Sequence, residues 1–291
     1  MPPSKKKPPK PTTTTTSRST PPPPPNWPPL TPLLPTSSLS LQTVLPSQIL
    51  TIPHLFTPTL CKTYVSFLST LPLVTTPANP KKGDAVRVND RFQIEDKVFA
   101  ERLWEGTGLR GLVLGEGEGE DGEGEEEGGE EKRRELWGGD VLGLNPNIRI
   151  YRYTPGQHFA PHYDDSNTLS FPPPTTTTTS PPRTSTALTH HLIPALTTWT
   201  LLLYLTSCVG GETVFYPSSQ DEPTGKKSKK KKGKEGSSSV GVGGRSEPIV
   251  CEMEVGMALL HRHGRECLLH EGREVREGVK WVIRSDVCVR R

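Results

Sequence analysis

The sequence predicts a mainly β domain, a sandwich or barrel backed by helices near its N-terminal end and interrupted by long polar insertions. Three observations lead there. Two stretches with helical periodicity precede a series of short strand-like segments, a succession that fits a helix-backed all-β architecture. Only 31% of the 291 residues are apolar, too few for a chain folded throughout. The prolines (32) and glycines (27) are concentrated in blocks without periodicity, so the deficit is local, and one domain with insertions accounts for it better than two.

Residues 1–45 hold 14 prolines and no acidic residue. Such a segment cannot bury enough surface to offset the entropy of ordering it, and it is expected to be a disordered, polyproline-biased basic tail. Residues 46–115 are expected to form a helical support, with order beginning near Gln48. Thr57-Pro58 reads as N-cap and first helical position, and Leu60, Tyr64, Phe67, Leu68 and Leu71 recur at helical spacing until Pro72. A second helix is expected from Asp96, with Phe99 and Leu103, and Ala100 and Trp104, each four apart, ended by Gly106 and Gly108. Glu116 to Glu131, ten acidic residues among six glycines, reads as a loop within a span placed at 116–135.

Residues 136–291 have β texture. Asn147 to Tyr153 alternates, with Ile148 and Ile150 on one face and Arg149, Tyr151 and Tyr153 on the other. Trp199 to Thr206, Thr213 to Tyr216, Val255 to Leu260 and Trp281 to Val289 are further strand candidates. Insertions are expected at 167–190, with Pro172 to Pro174 and Thr175 to Thr179, and at 217–247, where Lys226 to Lys234 has seven lysines in nine positions. That run has the composition of a nuclear-localisation or nucleic-acid patch, against the plainer reading of a solvated loop.

No stretch approaches the 18 or more apolar residues of a membrane span, and no apolar segment follows Lys5 to Lys7 as in a signal peptide. The expectation is a monomer in the cytoplasm or nucleus, with no membrane partner. Five cysteines without CxxC spacing suggest reduced, mostly buried thiols rather than a disulfide framework or zinc cluster.

The chemistry concentrates in Tyr153-Thr-Pro-Gly156-Gln-His-Phe159-Ala-Pro-His162-Tyr-Asp164. His162 and Asp164 stand two apart, so in an extended segment they share a face and converge on one metal. A third ligand is then expected from a neighbouring strand. His270, followed ten residues later by Lys280, is the leading candidate, with His261 and His263 competing. Two histidines and one carboxylate, with other positions open, are the ligand set of non-haem Fe(II) oxygenases.

Four pieces of the chain, in order, resemble the 2-oxoglutarate- and Fe(II)-dependent dioxygenases, and within them the prolyl 4-hydroxylase-like branch. They are Tyr153 to Asp164; Thr200 to Tyr216, with Tyr204-Leu205 and Gly210-Gly211-Glu212-Thr213; Gly256 to His261; and His270 to Val287. The Asn89 to Leu109 segment looks like the helical support of such enzymes. The resemblance implies a double-stranded β-helix, a jelly-roll of cupin type, with iron at its open end. It implies His162, Asp164 and His270 as iron ligands and Lys280 as the partner of the far carboxylate of 2-oxoglutarate, with Arg284 and Arg276 as alternatives. It implies Tyr153 as a donor to the same carboxylate and Thr213 as a pocket residue. The cofactors implied are Fe(II), 2-oxoglutarate and O2, with ascorbate as a further candidate, and the reaction is hydroxylation of an unactivated C–H bond with release of succinate and CO2.

One departure bears on the substrate. Collagen-type prolyl hydroxylases place a substrate-facing tryptophan six residues after the lysine, where this chain has Asp286. Arg87, Asn89, Asp90 and Arg91 form a polar cluster, and Arg87, Asn89, Arg91 and Asp286 are the residues expected at a substrate entrance. A protein side chain, proline foremost, is the leading substrate; a small molecule or nucleobase is the second reading. A non-catalytic barrel binding nucleic acid or a partner through its basic loop is the reading from another class.

Overall fold

The computed structural model describes residues 23–76, 85–116, 128–171, 192–217 and 247–291. The expectations for residues 1–22, 117–127, 172–191 and 218–246, the lysine run included, lie outside the described residues. The barrel strands are β1 (Asn147–Tyr153), β2 (His158–His162), β3 (Ile193–Tyr204), β4 (Thr213–Tyr216), β5 (Ile249–Cys251), β6 (Ala258–Arg262), β7 (Leu269–Gly272) and β8 (Lys280–Arg290). They pair as two facing antiparallel sheets, β6-β3-β8-β1 and β5-β4-β7-β2. The chain passes back and forth between the sheets, which makes the fold a jelly-roll, the double-stranded β-helix expected above. Ile49–Ile52 and Gln42–Leu45 extend the first sheet beyond β6, and Asp90–Glu95 and Val74–Thr75 extend it beyond β1.

Alternation decides what each strand of the first sheet gives to each side. Ile148 and Ile150 of β1, Leu201 and Leu203 of β3, and Trp281 and Ile283 of β8 face outward, into a core shared with the helices. Tyr151 and Tyr153, Tyr204, and Val282 face inward, into a smaller core between the sheets. The helices cover the outer face. In α1 (Pro58–Leu68) the Thr57 hydroxyl accepts from Leu60 N–H at 3.2 Å, and in α2 (Lys97–Gly106) the Asp96 carboxylate accepts from Phe99 N–H at 2.9 Å, the two N-caps expected from sequence. No helix among the described residues is long and apolar enough to cross a membrane.

Four expectations are corrected. The tail does not extend to residue 45. Trp27 is 7% exposed, stacks on Phe99 with ring centroids 3.9 Å apart, and donates its indole N–H to Asp96 at 2.8 Å, while Gln42–Leu45 pairs with Ile49–Ile52. The helix proposed for Asn89 to Leu109 is helical only over α2 and its short successor α3 (Leu109–Leu114); Asp90–Glu95 is a strand beside β1. The acidic loop ends sooner than residue 135, because Gly129–Trp137 is a helix, α4, with Glu130 and Glu131 at its positive end and Gly138 in the left-handed conformation closing it. Within the first insertion, Thr168–Phe171 is a strand paired with Ile193–Leu196.

The indole of Trp27 fills the groove between α1 and α2, so Trp27→Ala is expected to cost about 3–5 kcal/mol, the range for deleting a buried Trp side chain. Urea denaturation measures it; a loss below about 1 kcal/mol would mean that this segment does not pack on the domain.

Candidate metal centre

The centre lies between the two sheets, and a β-bulge helps to build it. Pairing of β7 with β2 sets His270 opposite His162 and Gly272 opposite Phe159, so β2 carries one residue more than its partner over that interval. The extra residue turns Phe159 and His162 to the same side; their rings stack at 3.5 Å and both line the pocket. Asp164 follows β2 and is fixed from its own backbone: its N–H donates to Cys267 Sγ at 3.2 Å and its carbonyl accepts from Gly264 N–H at 2.8 Å.

The donor atoms of His162, Asp164 and His270 all lie within 4.8 Å of one another. His162 Nε2 is 3.8 Å from Asp164 Oδ1, and His270 Nε2 is 3.8 Å from Oδ2. Each Nδ1 faces a carbonyl, Ala160 for His162 and Leu268 for His270, both at 2.9 Å. A carbonyl only accepts, so Nδ1 holds the proton and Nε2 presents its lone pair to the centre, as metal-ligating histidines require. Burial, assisted for His162 by the neighbouring His270, lowers both imidazoles; His162 falls to about 3. Both are therefore neutral, the ligand form, at physiological pH.

A second layer holds the carboxylate. Burial alone would raise Asp164, but the Arg284 guanidinium foremost outweighs it and keeps the carboxyl well below its ordinary value. Arg284 donates through Nη1 to Oδ1 at 3.2 Å and lies with Nη2 2.9 Å from Oδ2. The hydroxyl of Thr200 donates to Oδ2 at 2.9 Å. The two hydrogen bonds occupy one acceptor site on each oxygen and leave a lone pair on Oδ1, which faces His162, and on Oδ2, which faces His270. Behind Thr200, His263 has both nitrogens engaged, Nδ1 with Thr200 and Nε2 with Thr197, each at 2.9 Å.

At the other side of the pocket Lys280, 5% exposed, donates to the Gly211 carbonyl at 2.7 Å. Its ammonium lies 5.5 Å from the ring centre of Tyr153 and 5.3 Å from that of Tyr204, and Tyr204 and Thr213 share a hydrogen bond of 2.7 Å between their hydroxyls. The Gly210-Gly211 bend that presents the carbonyl needs left-handed backbone at both residues, and a Cβ on Gly210 would run into the Glu274 carbonyl. Lys280 has no ion-pair partner among the described residues, and burial lowers its ammonium to about 8. Lys280, Tyr153, Thr213, His162, Asp164 and His270 line one pocket.

The sequence-predicted residues divide accordingly. The three ligand candidates and Lys280, Tyr153 and Thr213 come together. Of the competing histidines, His263 is spent on two threonines, whereas His261 faces Asp164 with Nε2 at 3.7 Å. Asp286 does not stand at an entrance: it is 0% exposed and accepts from Asn145 at 2.9 Å and Arg149 at 3.1 Å, because β8 turns its even-numbered residues inward. Asn89 is likewise buried and bonded to Thr76. Arg87 lies over the Phe159 ring at 4.8 Å, at the pocket's edge, and Arg91 is half-buried and bonded to Gln93. Sequence reading missed Thr200 and the part Arg284 plays at Asp164. Alternation could have found both: Lys280, Val282, Arg284 and Asp286 fall on one face of β8, and Thr200, Leu202 and Tyr204 on one face of β3.

The donor set fits a divalent cation. Two neutral imidazoles and a carboxylate with a free lone pair on each oxygen are the 2-His-1-carboxylate set of non-haem iron. The buried ion pairs of Asp164 and Asp286 with Arg284 and Arg149 are already balanced. A cation beside Lys280 therefore leaves a buried excess of three positive charges, which a dianionic ligand largely offsets.

No family model and no curated protein sequence matches the chain. Solved structures of similar path include a viral collagen prolyl hydroxylase from Paramecium bursaria Chlorella virus-1 (12% identity, 83% of this chain and 96% of that one, TM-score 0.44). They also include a Pseudomonas putida prolyl-4-hydroxylase (9%, 84% and 94%, 0.46) and a Trichoplax adhaerens prolyl hydroxylase solved with a peptide of hypoxia inducible factor (12%, 83% and 83%, 0.46).

Proposed function

We propose that the chain is a 2-oxoglutarate- and Fe(II)-dependent dioxygenase of the prolyl-hydroxylase-like branch, hydroxylating an unactivated C–H bond of a protein side chain, proline foremost. The observation that carries this reading is one pocket lined both by the His162, Asp164 and His270 donors and by Lys280, a buried cation without a counter-ion among the described residues. A dicarboxylate that chelates a cation at one end and meets an ammonium at the other supplies what both ends lack.

His162, Asp164 and His270 would hold the iron. Iron and cosubstrate together supply the oxidation: one atom of O2 enters the C–H bond as hydroxyl and the other enters 2-oxoglutarate, which leaves as succinate and CO2, with ascorbate as accessory reductant. The protein's contribution is positioning. Arg284 and Thr200 fix the Asp164 carboxylate, the Ala160 and Leu268 carbonyls fix the two imidazole planes, and Lys280 fixes the far carboxylate between the rings of Tyr153 and Tyr204. Leu202, Val282 and Phe159 line the pocket and exclude water, which strengthens each of these contacts.

Succinate formation by the anaerobically Fe(II)-loaded protein, compared with His162→Ala, tests the reading. Wild type is expected to turn over 2-oxoglutarate at least 100-fold faster, the order of effect of removing an essential catalytic interaction; equal background rates would sink the assignment. Mass shifts of one oxygen atom in proline-containing peptides test the substrate.

A further inference from the structure

Two arginines reach the edge of the pocket from opposite sheets. Arg87–Val88 is a short strand paired with β2 at the margin of the second sheet, with Arg87 opposite Phe159; Asp90–Glu95 pairs with β1 in the first, with Arg91 opposite Tyr151. Directly opposed residues share a face of their sheet, so both side chains lie on the side that Phe159 and Tyr151 present to the pocket. The chain crosses between the sheets at Asn89, which is fully buried and fixed by Thr76: Asn89 N–H donates to the Thr76 hydroxyl at 3.0 Å and Thr76 N–H to the Asn89 carbonyl at 2.8 Å. The Arg87 guanidinium lies 4.8 Å from the ring centre of Phe159 and 5.7 Å from that of Tyr151. Neither arginine has a carboxylate partner among the described residues. Asp286 is taken by Arg149 at 3.1 Å and Asp90 by Arg152 at 2.8 Å, Glu271 on the pocket wall accepts from the Tyr216 hydroxyl, and Arg91 donates to the neutral Gln93. Burial lowers the Arg91 guanidinium, and Arg87 and Arg149 lower it further, with the hydroxyls of Tyr151 and Tyr153 opposing. Like charges gathered at a half-buried edge repel one another, and a bound anion relieves the repulsion.

We propose that Arg87 and Arg91 form a carboxylate clamp at the pocket edge, which selects a substrate carrying an acidic residue close to the side chain that reacts. The inference rests on the functional reading above, because the substrate of the same pocket is meant. The cosubstrate's charges are met deeper in, at the metal donors and Lys280, so an anion at the edge belongs to the substrate. A guanidinium presents paired N–H donors that match the two oxygens of a carboxylate. The aromatic rings beside Arg87 shield it from water on one side, which strengthens its pull on an anion on the other.

The probes are proline-centred peptides of otherwise uncharged composition, with Asp, Asn, Lys or phosphoserine at each position near the proline. Calorimetric titration of the anaerobic protein loaded with Fe(II) and 2-oxoglutarate reads affinity, and in air succinate release and the gain of one oxygen atom read turnover. At one position at least, wild type is expected to bind the Asp peptide about tenfold or more tightly than its Asn twin, the order of a hydrogen bond to a charged group, and the Lys peptide more weakly still. This comparison needs no variant to fold. In Arg87→Glu or Arg91→Glu the order should invert at that position, Lys over Asp, whereas loss of a merely structural arginine would weaken all peptides alike. If wild type binds Asp, Asn and Lys peptides equally at every position, or binds none, the clamp is overturned, and succinate release then leaves the dioxygenase reading standing. An Asp preference that survives both variants also overturns it, and so does phosphoserine bound tenfold more tightly than Asp, which would assign the edge to a phosphate. If wild type releases no succinate under any of these conditions, the functional reading falls and the clamp with it.

Discussion

Asp164→Ala is expected to cost about 3–5 kcal/mol of stability and to abolish divalent-metal binding, because one carboxylate serves both the fold and the site. The side chains of Asp164 and Arg284 are each only 10% exposed, and removing one member of such a pair leaves the other charge buried and uncompensated. Arg284 would keep Asp286 at 3.5 Å as its ion-pair partner and the Thr200 hydroxyl at 3.3 Å, and its Nε already lacks a partner. Asp164→Ala combined with Arg284→Leu is therefore expected to recover at least half of the lost stability and none of the metal binding. Urea denaturation and Co²⁺ titration read the two effects separately; a single-variant loss under about 1 kcal/mol would show that water reaches the guanidinium. The pH dependence follows. The folded carboxyl lies well below its unfolded value, so its contribution is complete above roughly pH 4 and is lost as pH falls toward the folded pKa.

Lys280→Met is expected to act in opposite directions on stability and binding. Burial lowers the ammonium to about 8 against an ordinary 10.5, with Cys208 and Glu212 opposing only weakly. Between those values the unfolded chain holds a proton that the folded one has lost, so wild-type stability rises with pH across that window. Below pH 8 both states are protonated and the folded protein bears a constant penalty on the order of 3 kcal/mol. Methionine removes the penalty and gives back about 1 kcal/mol by leaving the Gly211 carbonyl without its donor. The variant should thus be more stable at pH 7 by roughly 2 kcal/mol, an advantage that fades toward pH 10.5. It should also bind 2-oxoglutarate at least about 100-fold more weakly, as expected for losing a desolvated charged partner. In wild type, calorimetric titration should give an affinity that is flat below pH 8 and falls about tenfold per unit above it, since binding must then take up a proton. A Lys280→Met protein that kept wild-type affinity would remove the lysine from the site.

What was legible in the sequence had local causes. Thr57-Pro58 and Asp96 announce helix starts because an N-cap acts within three residues. The alternation of Asn147 to Tyr153 announces a strand with two differently used faces, and His162 with Asp164 announces a metal pair because strand geometry is periodic over two residues. Asp90 to Glu95 carried a similar signal, Phe92 and Ile94 among polar neighbours, overlooked beside the stronger helix that follows. In Glu130 to Leu136 the acidic composition suggests solvation, but strong helix formers ahead of a glycine specify a capped helix.

Sequence by itself determined five of the eight barrel strands, the two helix starts and the residue types able to hold a metal. Only the tertiary structure decided which of them meet. Arg284 is 120 positions from Asp164 and His261 is 97 from it, and no local preference encodes that β8 and β6 turn these side chains to the same carboxylate. Trp27 likewise sits in a proline-rich stretch that would not order alone, and becomes part of the core because Phe99 and Asp96 supply a ring and an acceptor 69 or more positions away. Composition describes what a segment can bury by itself; the folded chain adds the surfaces that other segments offer it.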